Sequence, residues 1–451
     1  MRDSNSACKW YVVVTVTAAR FALAAVLVQA IGPAKAQAQH WEGSLSLSSI
    51  GGWSDNITPN LVGPAVADYF LQLQPRVLFH YETPRTITEL SYDLSAFLYA
   101  TETNANSMSH NAQLSSRTRL SPRARLRLNL GVSAGQLNTL QLAAGPDANT
   151  GEIVADTSDF VSFDLSQRLR WEVNRNTLLL QRYSINLFDR KVKDTGVPVS
   201  RGSAIGTSLA LRREWKRDSA DLSAGVSVND LTNNRECRCE DVTTLSQFDF
   251  DVGVRWQRSL TPRWTSTVDG GLTRHYIPGQ QVVNTLRPSG AAELAYFDRW
   301  GGLVLAYQHS IQPNLSIASN TTTDGASLRA WLPVPYLRGE GPVPRVAITS
   351  TVGTSYGRVI DLVNNTTPPT WTTSFFDTAL VWLIRRTDLT LALRYQHTRQ
   401  RADTGVVVSY DRNAITISLS GSLSKGRPRA PILRSAAGED REDKEFMRRG
   451  E

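Results

Sequence analysis

Apolar and polar residues alternate one for one, in run after run, between residues 43 and 423. Ala124, Leu126, Leu128, Leu130 and Val132 fall on one face of such a run, and Arg123, Arg125, Arg127, Asn129 and Ser133 on the other. Val161, Phe163, Leu165, Leu169, Trp171 and Val173 oppose Ser162, Asp164, Ser166, Arg168, Arg170 and Glu172. Phe248, Phe250, Val252, Val254 and Trp256 oppose Asp249, Asp251, Arg255 and Gln257. Leu389, Leu391, Leu393 and Tyr395 oppose Thr390, Arg394, Gln396 and Thr398. Successive side chains of a β-strand point to opposite faces, so each run predicts a strand with one oily face and one strongly polar face. The runs are 10–14 residues long. An average soluble strand has about 5–6 residues, whereas about 9–11 tilted residues are what a strand needs to cross a hydrocarbon core.

Tight turns punctuate the pattern. Thr83-Pro84-Arg85, Ser121-Pro122-Arg123 and Thr261-Pro262-Arg263 are near repeats of one motif. Proline presets the turn backbone, and the preceding hydroxyl can bond the amides that follow. Asn174-Arg-Asn176, Lys216-Arg-Asp218, Asp298-Arg299, Gly339-Glu-Gly341 and Arg386-Thr-Asp388 occupy equivalent places. The eight centres lie about 43 residues apart on average, and each interval holds two long strands and one longer polar connection. Eight short turns separating nine two-strand units predict eighteen strands. A similar period describes β-propeller blades, but a blade packs four short strands into each repeat. The alternating runs are too long for that, and no blade motif recurs.

Charge and composition remove other classes. The chain has 451 residues, 49 Lys+Arg, 41 Asp+Glu and a formal net charge of +8. Residues 1–36 and 424–451 account for five of those net charges, and the small remainder argues against a nucleic-acid footprint. With 41% apolar residues the bulk of the chain is not disordered, and its mildly polar mean hydropathy excludes a bundle of transmembrane helices. Arg2, Lys9 and Arg20 precede the apolar run Phe21–Ile31, then Gly32-Pro33 and the small residues of Ala34-Lys35-Ala36. This predicts a cleaved secretory signal over residues 1–36, with the mature chain starting near Gln37. Cys8 leaves with it, and Cys237 and Cys239 remain. An even count in an exported chain suits a disulfide, but one intervening residue makes a small strained ring, so a reducible bond and two free thiols both stay open. No histidine is close enough in sequence to suggest a metal site there.

Trp171, Trp215, Trp264 and Trp300 each lie within three residues of a short turn. Tryptophan prefers the lipid–water interface, so the clustering reads as one girdle of a barrel. With the export signal, the even strand count and the alternation of short and long connections, residues 43–423 resemble the outer-membrane β-barrel proteins of Gram-negative bacteria. The resemblance implies an all-β, closed antiparallel transmembrane barrel of about 18 strands over residues 37–423. It further implies short periplasmic turns, longer extracellular loops, surrounding outer-membrane lipid and insertion by the barrel-assembly machinery. One departure is plain: such barrels often end on an aromatic residue, whereas Ala414–Leu423 runs on into a charged tail. The tail is expected to be disordered and periplasmic, with the assembly signal inside the last strand. More loosely, size and strand number resemble the barrels that accompany exopolysaccharide export machinery, which implies a periplasmic export partner.

About eighteen strands enclose an aqueous channel, whereas eight fill their own interior. Arg123, Arg125, Arg127, Arg168 and Arg170 come from adjacent strands and predict a cationic ladder, with Asp164, Glu172, Asp249 and Asp251 supplying opposite charge. Arg255 and Arg394 complete the candidate pore-lining set. Such an arrangement makes a transverse field that orients hydrophilic solutes, and arginine forks suit carboxylates or sugar hydroxyls. Only seven of the 49 basic residues are lysine, so an arginine-rich genome accounts for the same bias, and lumen charges that merely pair across the barrel remain an alternative. The longest connection, Gln136–Asp159, either folds inward or stays at the surface. Asn229–Thr244 and Gly357–Thr370 read as surface loops, and Asp230, Glu236, Glu240 and Asp241 as solvated acids rather than a divalent-ion site.

An outer-membrane lipid hydrolase needs a serine beside a histidine. Ser109-His110 and His309-Ser310 are consecutive, so on a strand they point apart. No phosphate-cradling loop or metal-ligand spacing is present, and neither a cofactor nor an enzymatic activity is expected. No plug domain precedes the first strand, which argues against energised import. The expectation is a passive pore for hydrophilic solutes, with polysaccharide export as its most specific form and general or solute-selective diffusion as the alternative. A plugged adhesin or structural barrel would require a blocked interior.

Overall fold

A computed structural model describes residues 40–57, 65–137, 158–192, 198–233, 243–276, 286–298, 301–314, 319–334, 346–359, 370–384, 389–403 and 409–424. The expected leader, the charged tail beyond Ser424, Trp300, the turn Gly339-Glu-Gly341, and Cys237 and Cys239 lie outside these residues.

Nine strands make the first half of the chain: β1 His40–Ser54, β2 Asp68–Glu82, β3 Thr86–Tyr99, β4 Ser107–Ser121, β5 Ala124–Leu137, β6 Ser158–Asn174, β7 Thr177–Val192, β8 Pro198–Glu214 and β9 Asp218–Asn233. Nine make the second: β10 Thr243–Ser259, β11 Trp264–Tyr276, β12 Leu286–Asp298, β13 Gly301–Asn314, β14 Ser319–Pro333, β15 Val346–Val359, β16 Thr370–Ile384, β17 Leu389–Ala402 and β18 Tyr410–Ser424. Each strand pairs antiparallel with its sequence neighbours, and β1 pairs with β18 from Ser44 opposite Ser424 to Ser54 opposite Ala414. The sheet is a closed 18-stranded barrel with no edge strand.

The strands outrun the alternation that announces them, reaching 17 residues in β6. Backbone pairing continues for as long as a partner strand does, whereas apolar alternation stops at the water interface. The connection expected over Gln136–Asp159 is therefore shorter, because β5 runs to Leu137 and β6 starts at Ser158. In the same way Asn229–Asn233 belongs to β9, Thr243 and Thr244 to β10, Gly357–Val359 to β15 and Thr370 to β16.

Short turns gather at one end of the barrel. Thr83 Oγ1 accepts hydrogen bonds from the amides of Arg85 (3.3 Å) and Thr86 (2.9 Å). Ser121 Oγ accepts from the Arg123 amide at 3.2 Å, and Thr261 Oγ1 from the Arg263 and Trp264 amides at 3.2 and 3.1 Å. The hydroxyl-Pro-Arg motif thus turns the chain by satisfying amides that have left the ladder.

The outer face carries about forty exposed large apolar side chains, among them Leu45, Leu47, Phe79, Leu209, Leu211, Val252, Val254, Leu305, Leu393 and Ile417. Soluble monomers rarely expose apolar patches beyond a few hundred Å². At the turn end this belt is bounded by exposed Trp41, Trp171, Trp215 and Trp382, with Trp41 packed on Tyr81 and Trp264 on Tyr296. Exposed Tyr69, Tyr276 and Tyr356 mark the loop end. A closed barrel with an even strand number, an oily belt between aromatic girdles and short turns at one end has the construction of a Gram-negative outer-membrane barrel, turns to the periplasm.

Candidate functional site: a charged lumen

Strand register decides which inward side chains stand side by side. Arg117 of β4 lies opposite Arg127 of β5, Arg127 opposite Arg168 of β6, and Arg168 opposite Arg182 of β7. One inward step toward the turn end, Arg119, Arg125 and Arg170 form a second row across β4, β5 and β6. Neighbouring strands lie about 4.8 Å apart, so the four-arginine row spans about 14 Å of wall. Like charges directly opposite each other destabilise a sheet. The same barrel shows the neutral alternative: Arg212, Asp221, Arg255 and Asp269 form a row of alternating sign across β8 to β11. Arg212 forks onto Asp221 at 2.7 and 2.8 Å, and Arg255 stands 3.7 Å from Asp269. Among these arginines no carboxylate is directly opposite in register, and Glu172 stands 3.8 Å from Arg125.

The four-arginine row continues around the wall as Ser208, Gly225 and Asp251. Gly225 leaves room for Asp251, whose carboxylate oxygens lie 2.7 Å from where a Cβ on Gly225 would sit. A cavity of about 430 Å³ opens along this row, lined by Arg127, Asn129, Ser166, Arg168, Arg182, Ser184, Ser208, Ser227 and Asp251. Gln167, Tyr183, Thr207 and Val226 border it through main chain, because register sets their side chains on the outer face with Leu209. A cationic wall on β4–β7 therefore adjoins the Asp251 carboxylate of β10 across one water-accessible space.

Toward the loop end the interior is packed. Ile57, Phe70, Phe97 and Tyr99 form a buried cluster just inside the mouth, with Ile50, Val66 and Ala105 against it. The Ile57 amide donates to the Val66 carbonyl at 2.9 Å, turning the chain after β1 inward. The Asp68 carboxylate accepts from the amides of Tyr69, Thr101 and Glu102 at 2.7, 2.9 and 2.8 Å, tying two connections together. Farther round, Trp371 and Val359 form a second buried cluster. Between these clusters Asp249 accepts from Asn229 Nδ2 (2.6 Å), His275 Nδ1 (2.7 Å) and Gln247 Nε2, in a network withdrawn from solvent. Mid-barrel Asp164 and Arg182, by contrast, are exposed.

The sequence-derived candidates divide accordingly. Arg125, Arg127, Asp164, Arg168, Arg170, Glu172, Asp251 and Arg255 occupy inward positions at or below mid-barrel. Asp249 is inward but buried. Arg394 is inward and held by Asp377, Nε to Oδ1 at 2.8 Å. Arg123 is a correction: it sits in the turn between β4 and β5, exposed at the rim, where its carbonyl accepts from the Glu172 amide. Proline at 122 ends the ladder one residue earlier than alternation suggests. Sequence reasoning missed Arg117, Arg119 and Arg182. The first two carry a usable signal, since Arg117 and Arg119 alternate with Thr118 and Leu120. Arg182 lies between Gln181 and Tyr183, which hides the phase of its strand.

Of the loop acids, Asp230 is an exposed residue of β9, while Glu236, Glu240 and Asp241 lie outside the described residues. Among the described residues no group of three His, Cys, Asp or Glu side chains is arranged to hold a metal ion. His110 bonds Tyr92 (2.6 Å) on the outer face, and His309 bonds Asp324 (2.8 Å).

Neither a family model nor a curated protein matches the chain. Among solved structures it is similar to OccK2 (OpdF) of Pseudomonas aeruginosa in complex with glucuronate, at 12% identity and TM-score 0.46, over 85% of this chain and 98% of that one. Acinetobacter baumannii OccAB3 aligns at 11% identity and TM-score 0.45, covering 85% and 99%. The siderophore receptor PirA of Pseudomonas aeruginosa aligns at 8% identity and TM-score 0.46, covering 86% and 81%. At these values the likenesses add nothing to the barrel already described.

Proposed function

We propose that the chain is an outer-membrane pore that selects small hydrophilic anions, carboxylate-bearing solutes in particular. The observation that carries this reading is the row Arg117–Arg127–Arg168–Arg182, four like charges in register along the open part of the lumen. An anion entering from the turn end meets a fixed field running from the arginine wall to Asp251. Guanidinium forks offer paired donors to a carboxylate, and several forks in a row let it pass from one to the next without full rehydration.

The buried clusters at the loop end favour diffusion of small solutes over export of a polysaccharide, which needs a continuous bore. In this reading the protein performs no chemistry. His275 and His309 are engaged by carboxylates and His110 by a tyrosine, so these rings serve to hold the wall together.

The test is reversal potential and block in a planar bilayer, using the refolded mature protein. Anion preference, with block by a small dicarboxylate, supports the proposal. Cation preference or indifference to carboxylates removes it, and a correctly folded barrel that passes no current makes the packed loop end a plug.

A further inference from the structure

The outer face of β6 and β7 sets two primary amides, Gln167 and Gln181, within the apolar belt. Gln167, Gln181, Tyr183 and Thr207 are outward, between the turn-end girdle at Trp171 and Trp215 and the loop-end positions Asp159 and Arg201. Their neighbours on the same face are Ile205, Leu209 and Leu211, all exposed. Gln167 Nε2 donates to Gln181 Oε1 at 3.4 Å. Thr207 Oγ1 turns back to the Arg182 carbonyl at 3.1 Å, as a short hydroxyl on a strand can. The two glutamines cannot do this. Among the described residues, Gln167 Oε1 and Gln181 Nε2 have no partner. Hydrocarbon offers no hydrogen bonds, so amide groups left at mid-belt are strongly disfavoured against lipid.

We propose that this face is not lipid-facing in the assembled protein but docks on a second copy of the same chain, giving a twofold dimer. A primary amide is both donor and acceptor, so a pair of glutamines is complementary to its own image. A twofold contact brings each patch against that image. Gln167 Oε1 of one barrel accepts from Gln181 Nε2 of the other, and the reverse, while Ile205, Leu209 and Leu211 pack around them. Polar side chains commonly join transmembrane segments in this way. The wall chosen is also the one whose inner face bears Arg168 and Arg182, so docking keeps lipid from the outside of the most charged strands.

The experiment uses the full mature chain, refolded, with Cys237→Ser and Cys239→Ser to remove its own thiols. Oxidation of Gln181→Cys in bilayers should give a covalent dimer, whereas Leu393→Cys on β17, at a belt position on another wall, should not. Native mass measurement in mild detergent should show a dimer that Gln167→Leu/Gln181→Leu weakens by about tenfold, as expected for losing two hydrogen bonds between the copies. The leucine variant keeps the belt apolar, and heat-modified gel mobility confirms that its barrel has closed. A monomeric wild type, equal crosslinking from Leu393→Cys, or an oligomer indifferent to the leucine pair would overturn the proposal.

Discussion

Replacing Arg127, Arg168 and Arg182 together by glutamine removes three of the four charges in the open row while leaving a polar, shorter side chain at each place. Consider an anion in the cavity about 7 Å from each guanidinium, in water. Coulomb's law then gives about 0.6 kcal/mol per charge before screening. A Debye length of about 10 Å at 0.1 M salt roughly halves this, so the three charges together contribute about 0.9 kcal/mol. That is about a fivefold loss for the anion and an equal gain for a monovalent cation at the same place, so the anion-to-cation permeability ratio should fall about twentyfold. At 1 M salt the Debye length falls to about 3 Å and the effect on the ratio should shrink to about twofold. The assay is reversal potential across a salt gradient, repeated at both ionic strengths. Arg213→Gln serves as control, because Arg213 lies outside the lumen row with its guanidinium 5.6 Å from the Trp215 ring centre. An unchanged permeability ratio at 0.1 M, or a change just as large at 1 M, would refute the argument that this row sets selectivity through its field.

Other perturbations probe the rest of the lumen. Ile57→Asp places a carboxylate in the buried cluster with Phe70, Phe97 and Tyr99, and should release the inward turn after β1, read as larger single-channel steps. Gly225→Ala puts a methyl 2.7 Å from the Asp251 carboxylate oxygens and pushes them off the arginine side of the cavity. It should raise anion preference with little change in urea midpoint, since the atoms displaced end a flexible side chain. Gly357→Ala drives a methyl into the Trp371 ring, which lies over that glycine and is 2% exposed. Overpacking of this kind costs about 1–3 kcal/mol, so the urea midpoint should fall while ion selectivity stays the same.

How much of this was legible in the sequence follows from the range of each signal. Alternation acts over two residues, so the strands, their number and the inward phase of Arg125, Arg127, Arg168 and Arg170 could be read directly. Turn chemistry acts over three or four residues, and the hydroxyl-Pro-Arg motifs behave as written. Register is not local. That Arg127 meets Arg168 while Arg212 meets Asp221 depends on how far each hairpin slides, and no short window contains it. The packed mouth is less local still, because Ile57 after β1 meets Phe70 of β2 and Phe97 and Tyr99 of β3. Arg182 and Gln181 were missed together: on β7 the polar residues occur on both faces, so the pattern that identifies a belt strand is weakest where the wall is most charged inside.

The ladder that joins β1 to β18 also limits the order of events during biogenesis. Ser44 pairs with Ser424, about 380 residues later, so the first strand to emerge waits for the last before both its sides are bonded. Until then the growing sheet has two open rims of unpaired amides and carbonyls, which invite pairing with any other extended chain. Such a barrel cannot be completed piece by piece from its N-terminus. A chain cut before Tyr410 would lack β18 and leave β1 and β17 each without one ladder partner.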